Sequence, residues 1–257
     1  MADLSAFLNA LSDAARAVTL GAPVPLADNK AGDGAYDPVT ILDRDAERAL
    51  RAMIEARFPG DGIEGEEYGL VRADAPRRWL LDPVDGTRAL ICGLPSWTTL
   101  VALMEAGEPT HGMIDAPVLN ELLLGVPYGT LRNGRPVRAS GCRTLAEARL
   151  STTDPFLFEG AEGAAFDRVR RAARVTRYGL DALAYARVAT GDLDLVIESG
   201  LQRHDWAALV PVVRGAGGVV GDWRGGTDFG SGAIVAAATP ELYEEAVRLL
   251  AIGATTM

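Results

Sequence analysis

From Trp79 to Thr87 the chain reads Trp-Leu-Leu-Asp-Pro-Val-Asp-Gly-Thr, an apolar run that stops in two carboxylates, Asp82 and Asp85. The run predicts a buried strand. Pro83 holds Asp82 in extended backbone and brings no N–H of its own. The chain then turns with both acids near the strand's C-terminal end. Two carboxylates that close repel by ~4 kcal/mol at ~4 Å and an effective dielectric of ~20. A fold that buries this segment must set something positive between them. Mg²⁺ suits such oxygen donors, since it takes one or two carboxylates and keeps waters and a substrate phosphate. Gly86 and Thr87 would start a helix there and offer free backbone N–H groups to an anion. A metal beside an anion at one strand end points to phosphoryl chemistry.

Several other classes of function drop out. The 257 residues, 48% of them hydrophobic, suffice for one large domain or two tightly joined ones. No apolar stretch reaches the ~18–20 residues that span a membrane. The first residues lack the basic-then-apolar order of a signal peptide. Cys92 and Cys142 have no metal-type spacing and read as free thiols. A cytoplasmic protein with no membrane partner is therefore expected. The net charge is −10, from 35 acids against 25 basic residues. A nucleic-acid partner calls for a basic patch, and no basic run exceeds two residues, so none is expected. The acidic excess does not itself argue for metals, because acidic surfaces mostly serve solubility.

Apolar spacing predicts helices over 4–18 and 43–58, the second ended by Pro59-Gly60. A short strand leads into Glu64-Gly65-Glu66-Glu67. Strand-length runs at 98–104, 111–114 and 121–127 predict an antiparallel meander, with turn signals at Gly107 and Asn133-Gly134. From Ala148 onward, strands and helices alternate, including helices over 161–173, 182–190 and 206–214 and a last one over 240–250. The first part thus reads α+β and the second α/β. The boundary falls near Ser140, giving an α+β domain over 1–140 and an α/β domain over 141–257.

Three acidic elements stand apart in the sequence: Glu64 to Glu67, Asp82 with Asp85, and Asp205 before Trp206. Taken singly, the first is a solvated turn as readily as a site, and Asp205 is a helix N-cap as readily as a ligand. Their order and spacing, however, resemble the inositol-monophosphatase-like family of Mg²⁺-dependent, lithium-sensitive phosphatases. The resemblance rests on Gly65-Glu66-Glu67, on Asp82-Pro83-Val84-Asp85-Gly86-Thr87, and on His204-Asp205 leading to Gly215-Ala216-Gly217-Gly218. It runs from about Lys30 to Asp222 and implies a layered α/β/α/β/α sandwich of the inositol monophosphatase and fructose-1,6-bisphosphatase type, usually a homodimer. Two departures are the Arg88-Ala89-Leu90-Ile91 stretch and His204, both where an aromatic residue is common.

Carried over, Glu66, Asp82 and the Val84 carbonyl would hold one Mg²⁺, and Asp82, Asp85 and Asp205 a second, with a third ion near Glu66. The catalytic set would be Glu66, Thr87 and Asp85, with Glu66 and Thr87 orienting the attacking water. The Gly86 and Thr87 N–H groups would receive a phosphate oxygen. Metal-activated water would then attack phosphorus in line, with no covalent phosphoenzyme. Asp43, in a Thr40-to-Asp43 stretch that also reads as a helix cap, would stand behind the ligands. Lys30, equally a solvated loop lysine, would lie near the metals.

The segments around Tyr178 to Ala182 and Gly191 to Glu198, and Ala207 to Val213, resemble the histidinol-phosphatase branch. That branch more often carries Gly-Gly-Asp-Cys where this chain has Gly179-Leu180-Asp181-Ala182. Histidinol phosphate presents an ammonium and an imidazole, which favour carboxylate partners, and Asp181 and Glu198 could supply them. Glu198 would equally hold an inositol hydroxyl, and Asp181 also reads as an N-cap. The expected activity is histidinol-phosphate phosphatase, with an inositol or broad sugar-phosphate phosphatase as alternative. A phosphate-ligand binding protein without turnover is the remote one.

Overall fold

The computed structural model describes residues 4–21, 27–29, 38–158 and 160–251; Lys30 lies outside them. Helix α1 (Leu4–Thr19), the short antiparallel pair β1 (Asp28–Asn29) and β2 (Pro38–Val39), and helix α2 (Ile41–Arg57) come first. Strands β3 (Gly62–Gly65), β4 (Gly69–Val71), β5 (Arg77–Asp85), β6 (Thr98–Glu105), β7 (Glu108–Ala116), β8 (Glu121–Val126), β9 (Gly129–Arg132) and β10 (Arg135–Pro136) form one sheet. Its order is β10-β9-β8-β7-β6-β5-β3-β4, antiparallel except where β3 runs parallel to β5. Helix α3 (Thr87–Ile91) follows β5 directly. A second sheet, β12-β11-β13-β15-β14, comprises β11 (Arg149–Thr152), β12 (Val175–Tyr178), β13 (Leu195–Glu198), β14 (Val219–Asp222) and β15 (Ile234–Ala237). Helices α4 (Ala161–Ala172), α5 (Leu183–Ala189), α6 (Arg203–Trp206), α7 (Leu209–Gly215) and α8 (Pro240–Ala251) complete the chain.

The layers follow from which side of each strand is apolar. In β5 and β6, Trp79, Leu81, Val101 and Leu103 pack with Leu8, Leu11, Leu50 and Ile54 of α1 and α2. Their alternates Leu80, Leu100 and Ala102 pack instead with α5 and α7 and with Val196, Ile234 and Ala236 of the second sheet. The outer face of that sheet, through Leu150, Leu195 and Ile197, closes on α4 and α8. Both sheets are thus covered on both faces, which is why β5 and β6 read as continuous apolar runs and not as alternating ones. The stack is α1α2, sheet, α5 to α7, sheet, α4α8: the α/β/α/β/α sandwich.

The predicted helix over 206–214 divides in two. α6 starts earlier, at Arg203, and α7 begins at Leu209. Pro211 has no N–H to donate to Ala207, so one helix cannot run through; it fits only within the first turn of a new one. The Asn133-Gly134 turn signal joins two strands, β9 and β10, with both residues at positive φ, as a two-residue hairpin requires. The second sheet is mixed: β11 runs parallel to β12 and β13, while β15 is antiparallel to β13 and β14. Among the described residues, no helix is long and apolar enough to cross a membrane.

Candidate active site

β5 carries Asp82 and Asp85 to the edge of the middle helical layer. Asp82 is 2% exposed, and its Oδ1 accepts the Val84 N–H at 3.1 Å, which fixes the turn around Pro83. Gly86 then takes φ +83° as the N-cap of α3. A side chain there would be strained by that φ, and its Cβ would lie 3.1 Å from Asp181 Oδ2. The glycine is required both for the turn and for the approach of the second half of the chain.

Glu66 is placed by a residue that nothing in the local sequence announces. Glu47 of α2 is fully buried and accepts N–H groups from Glu67 at 2.7 Å and Tyr68 at 3.2 Å. Arg51 donates to the same carboxylate at 2.7 Å. These bonds fold the chain sharply after β3, and a Cβ on Gly65 would overlap the Glu47 carboxylate. Gly65→Ala is expected to destabilise the protein by about 1–3 kcal/mol through overpacking and to pull Glu66 out of position. Chemical denaturation checks this, and an unchanged midpoint would show that the Glu47 carboxylate yields freely.

Asp43, expected behind the ligands, lies behind Thr87 and outside the cavity lining. The capping box is present: Asp43 Oδ2 accepts the Thr40 N–H at 2.9 Å and the Thr40 hydroxyl at 2.5 Å. Its other oxygen lies 3.4 Å from Thr87 Oγ1, which in turn lies 3.0 Å from the Val84 carbonyl. The cap and the site therefore use opposite oxygens of one carboxylate. Burial, with a contribution from Glu66, raises the Asp43 pKa against the pull of the Thr40 bonds.

Asp85 joins the two halves. Its Oδ2 accepts the Ala182 N–H at 2.7 Å and the Thr98 hydroxyl at 3.3 Å. This bond pins the turn before α5, where Asp181 sits at φ +48°. The N-cap of α5 is Ala182 and has no side-chain cap bond, so Asp181 does not act as a capping residue. Glu198, at the end of β13, accepts the Thr153 N–H at 2.7 Å and its hydroxyl at 3.0 Å. Asp205 is not an N-cap either. Gln202 caps α6, and Asp205, three residues on, accepts the Gln202 N–H at 2.7 Å while His204 Nε2 lies 3.3 Å from its other oxygen.

The β5 acids and Thr87, with Glu66, Asp181, Glu198 and Asp205, line one cavity of about 300 Å³ between the sheets, while Glu47, Asp43 and His204 stand outside its lining. Its wall holds six carboxylates, Glu66, Asp82, Asp85, Asp181, Glu198 and Asp205, against one basic side chain, Arg88. Burial and mutual repulsion hold Asp82 and Asp85 well above the usual carboxylate range. Burial likewise lifts Asp205, brings Asp181 to about 6 although Arg88 pulls it down, and brings Glu198 to about 8 although Thr153 opposes the shift. Such a wall is short of positive charge. Among the described residues its donors are hard oxygens, with no His, Cys or Lys at the β5 end, and they fit Mg²⁺ or a similar ion. Among the described residues, no three such side chains converge as a finished cation site. Asp85 and Asp205 each give one oxygen to a backbone N–H instead. A larger cleft of about 790 Å³ adjoins the cavity along Gly200 and Leu201. Its lining includes Glu64, Arg78 and Arg203, already paired with one another, and none of the six carboxylates.

The model of the inositol monophosphatase family matches residues 3–252. A bifunctional phosphatase of Arabidopsis thaliana, IMPL2, is 44% identical over 73% of this chain, a match that spans only 55% of the plant protein. A histidinol-phosphatase of Chlorobaculum parvum is 35% identical over 73% of each chain. The solved structure of an inositol monophosphatase from Zymomonas mobilis superposes with a TM-score of 0.86 at 39% identity, covering 97% of this chain and 99% of that one.

Proposed function

The chain belongs to the inositol monophosphatase family, and on that basis we propose that this phosphatase is Mg²⁺-dependent and acts on histidinol phosphate, releasing L-histidinol and inorganic phosphate. The observation that carries the choice of ester is the pair Asp181 and Glu198, both lining the cavity beyond the β5 acids with, among the described residues, no basic side chain but Arg88 in the same lining. A leaving alcohol bearing an ammonium and an imidazole would neutralise them, whereas the hydroxyls of inositol would not. Inositol phosphate is the second reading, supported by the likeness to the Zymomonas enzyme.

In this reading Glu66, Asp82, Asp85, Asp205 and the Val84 carbonyl hold the ions. When bound, these supply charge stabilisation and a more acidic water. The Val84 carbonyl has a second lone pair free for this beside the one that accepts from Thr87. Thr87, between Asp43 and Val84, orients the attacking water together with Glu66. As it takes a proton from the water, the Thr87 hydroxyl swings its own from the Val84 carbonyl to Asp43, 3.4 Å away. The Gly86 and Thr87 N–H groups, unpartnered within the short helix they start, receive a phosphate oxygen. The bond between phosphorus and the ester oxygen breaks as the new bond to the water oxygen forms, and the leaving oxygen takes up a proton. A homodimer in a cytoplasmic setting belongs to the same reading. Phe156, Leu157 and Tyr178, exposed around the β11 and β12 edge, provide apolar area for a second copy.

Release of phosphate from histidinol phosphate and from inositol 1-phosphate, with and without Mg²⁺, tests the assignment. Mg²⁺-dependent release from the inositol ester alone overturns the histidinol reading, and no release from either favours a ligand-binding protein. Asp181→Asn and Glu198→Gln are each expected to raise KM for histidinol phosphate by about 10- to 100-fold, in line with loss of a buried charge partner. Steady-state kinetics on both variants checks this, and a KM within twofold of the parent in both would remove them from the substrate site.

A further inference from the structure

Tyr185 is a large, fully buried side chain, 1% exposed, on α5. Its ring belongs to the middle-layer core cluster that also holds Leu183, Val188, Val196 and Leu209. Phe would fill that place equally well. The phenol oxygen, however, has no hydrogen-bond partner among the described residues, and a buried hydroxyl left unpaired is a standing cost that Phe would not carry. A second buried hydroxyl without a partner, Thr152 Oγ1, does not line the cavity, whereas Tyr185 does. Tyr185 is thus a lining residue of the cavity whose polar atom no described residue satisfies.

Its position along the cavity narrows what it would meet. Glu198, Asp85 and Asp205 all act on it electrostatically, and burial together with these carboxylates keeps the phenol protonated. Tyr185 thus shares one cavity with the acids assigned to the metal and with the acid assigned to the leaving alcohol. Among the described residues, the other hydroxyls of the lining are engaged, Thr87 to Val84, Thr153 to Glu198 and Ser199 to Glu162, which leaves Arg88 as the other donor there. In a cavity so rich in acceptors, a protonated phenol is the scarce group, and an acceptor atom on the ligand is what it lacks.

We propose that the Tyr185 hydroxyl donates a hydrogen bond to an acceptor on the leaving alcohol, an imidazole nitrogen or a hydroxyl oxygen, and so helps to select the ester. This rests on the phosphatase reading above but not on which alcohol is released. Asp181 and Glu198 neutralise a cation on the substrate; Tyr185 supplies the complementary donor. A leaving group with a cation and an acceptor on one small frame satisfies all three.

Tyr185→Phe removes only the oxygen, and two measurements on the full-length Mg²⁺-loaded protein test the idea. Calorimetric titration with histidinol and with inositol gives the affinity of each product alcohol. Steady-state kinetics compares the matching phosphate ester with phenyl phosphate, whose leaving group carries no acceptor beyond the ester oxygen. The expected result is a loss of about 10-fold in affinity for the preferred alcohol, the scale of one neutral hydrogen bond. kcat/KM for its ester should fall several times further than for phenyl phosphate, with a melting temperature equal to or above that of the parent. Equal losses on both esters would mean that the ring acts through the shape of the site, and unchanged affinity for both alcohols would mean that the hydroxyl meets nothing; either result overturns the proposal. If the parent protein releases inositol and not histidinol, the histidinol reading fails while the comparison on the inositol ester still decides the role of Tyr185.

Discussion

Replacing Asp85 by Asn is expected to lower kcat by about 10³-fold, equivalent to about 4 kcal/mol of transition-state stabilisation, while the fold survives. The two halves of that expectation have separate physical causes. Asn keeps an oxygen that can still accept the Ala182 N–H and the Thr98 hydroxyl, the two bonds Asp85 makes across the molecule. It removes one negative charge from a buried group already held far above the usual carboxylate range by burial and by Asp181. The metal-free variant should therefore be at least as stable as the parent. What is lost is a charged oxygen donor at the β5 end. Phosphate-release kinetics with a thermal melt on the same preparation separates the two effects. Turnover within tenfold of the parent would remove Asp85 from the metal site, and a collapsed melt would recast it as a structural bridge.

The second large effect concerns pH and metal together. Glu198 is raised from an ordinary 4.5 to about 8 and Asp181 from 3.8 to about 6, both through burial first. Asp82, Asp85 and Asp205 move in the same direction. For a carboxyl whose folded pKa exceeds its unfolded one, the folded state binds more protons between the two values, so stability falls as pH rises through that window. The penalty is absent below about pH 4 and complete above about pH 8. For Glu198 it is on the order of 5 kcal/mol, at about 1.4 kcal/mol per pKa unit. The metal-free protein should then melt higher at pH 5.5 than at pH 8. Asp194 and Asp222 work in the opposite direction. Burial would raise them, but the Arg149 guanidinium and the Gly226 and Arg224 N–H groups, respectively, outweigh it, and their stabilisation is lost only at lower pH. Mg²⁺ at about 100 times its Kd should add about 2.7 kcal/mol, most visibly at pH 8. Melting curves from pH 5 to 8 with Mg²⁺ or chelator check both parts. A metal-free melting temperature that climbs steadily to pH 8 would mean that these acids are compensated by something other than a cation.

What could be read from the sequence is what is local. The Trp79 to Asp85 run ends where two acids and a glycine end it, and β5 with α3 behind it follows that punctuation. The meander from Thr98 to Val126 was legible because apolar runs and turn residues alternate. Groups that depend on the packing of distant segments were not. Glu47 sits on a helical face among charged residues and gives no sign that it buttresses Gly65-Glu66-Glu67. Asp43 announces a capping box, and only the fold brings its second oxygen to Thr87. Asp205 was misplaced by one element because the apolar Trp206 run hides the break that Pro211 imposes. Tyr185 left one faint trace, a side chain with a polar tip inside the small-residue run Ala182-Leu183-Ala184-Tyr185-Ala186.

The bond between Asp85 and the Ala182 N–H bears on how a protein of this design could change its diet. In the proposed reading the reacting end is carried by segments from Asp43 to Thr87 with Asp205, while the alcohol meets the turn and helix that begin at Asp181. Because that turn is moored to Asp85 through backbone, the side chains along it are free to vary without disturbing the reaction centre. Its length is not, since adding or deleting a residue would drag Asp85 with it. Descent with altered specificity should therefore leave its record in the identities of residues 180–185 and not in gaps between them.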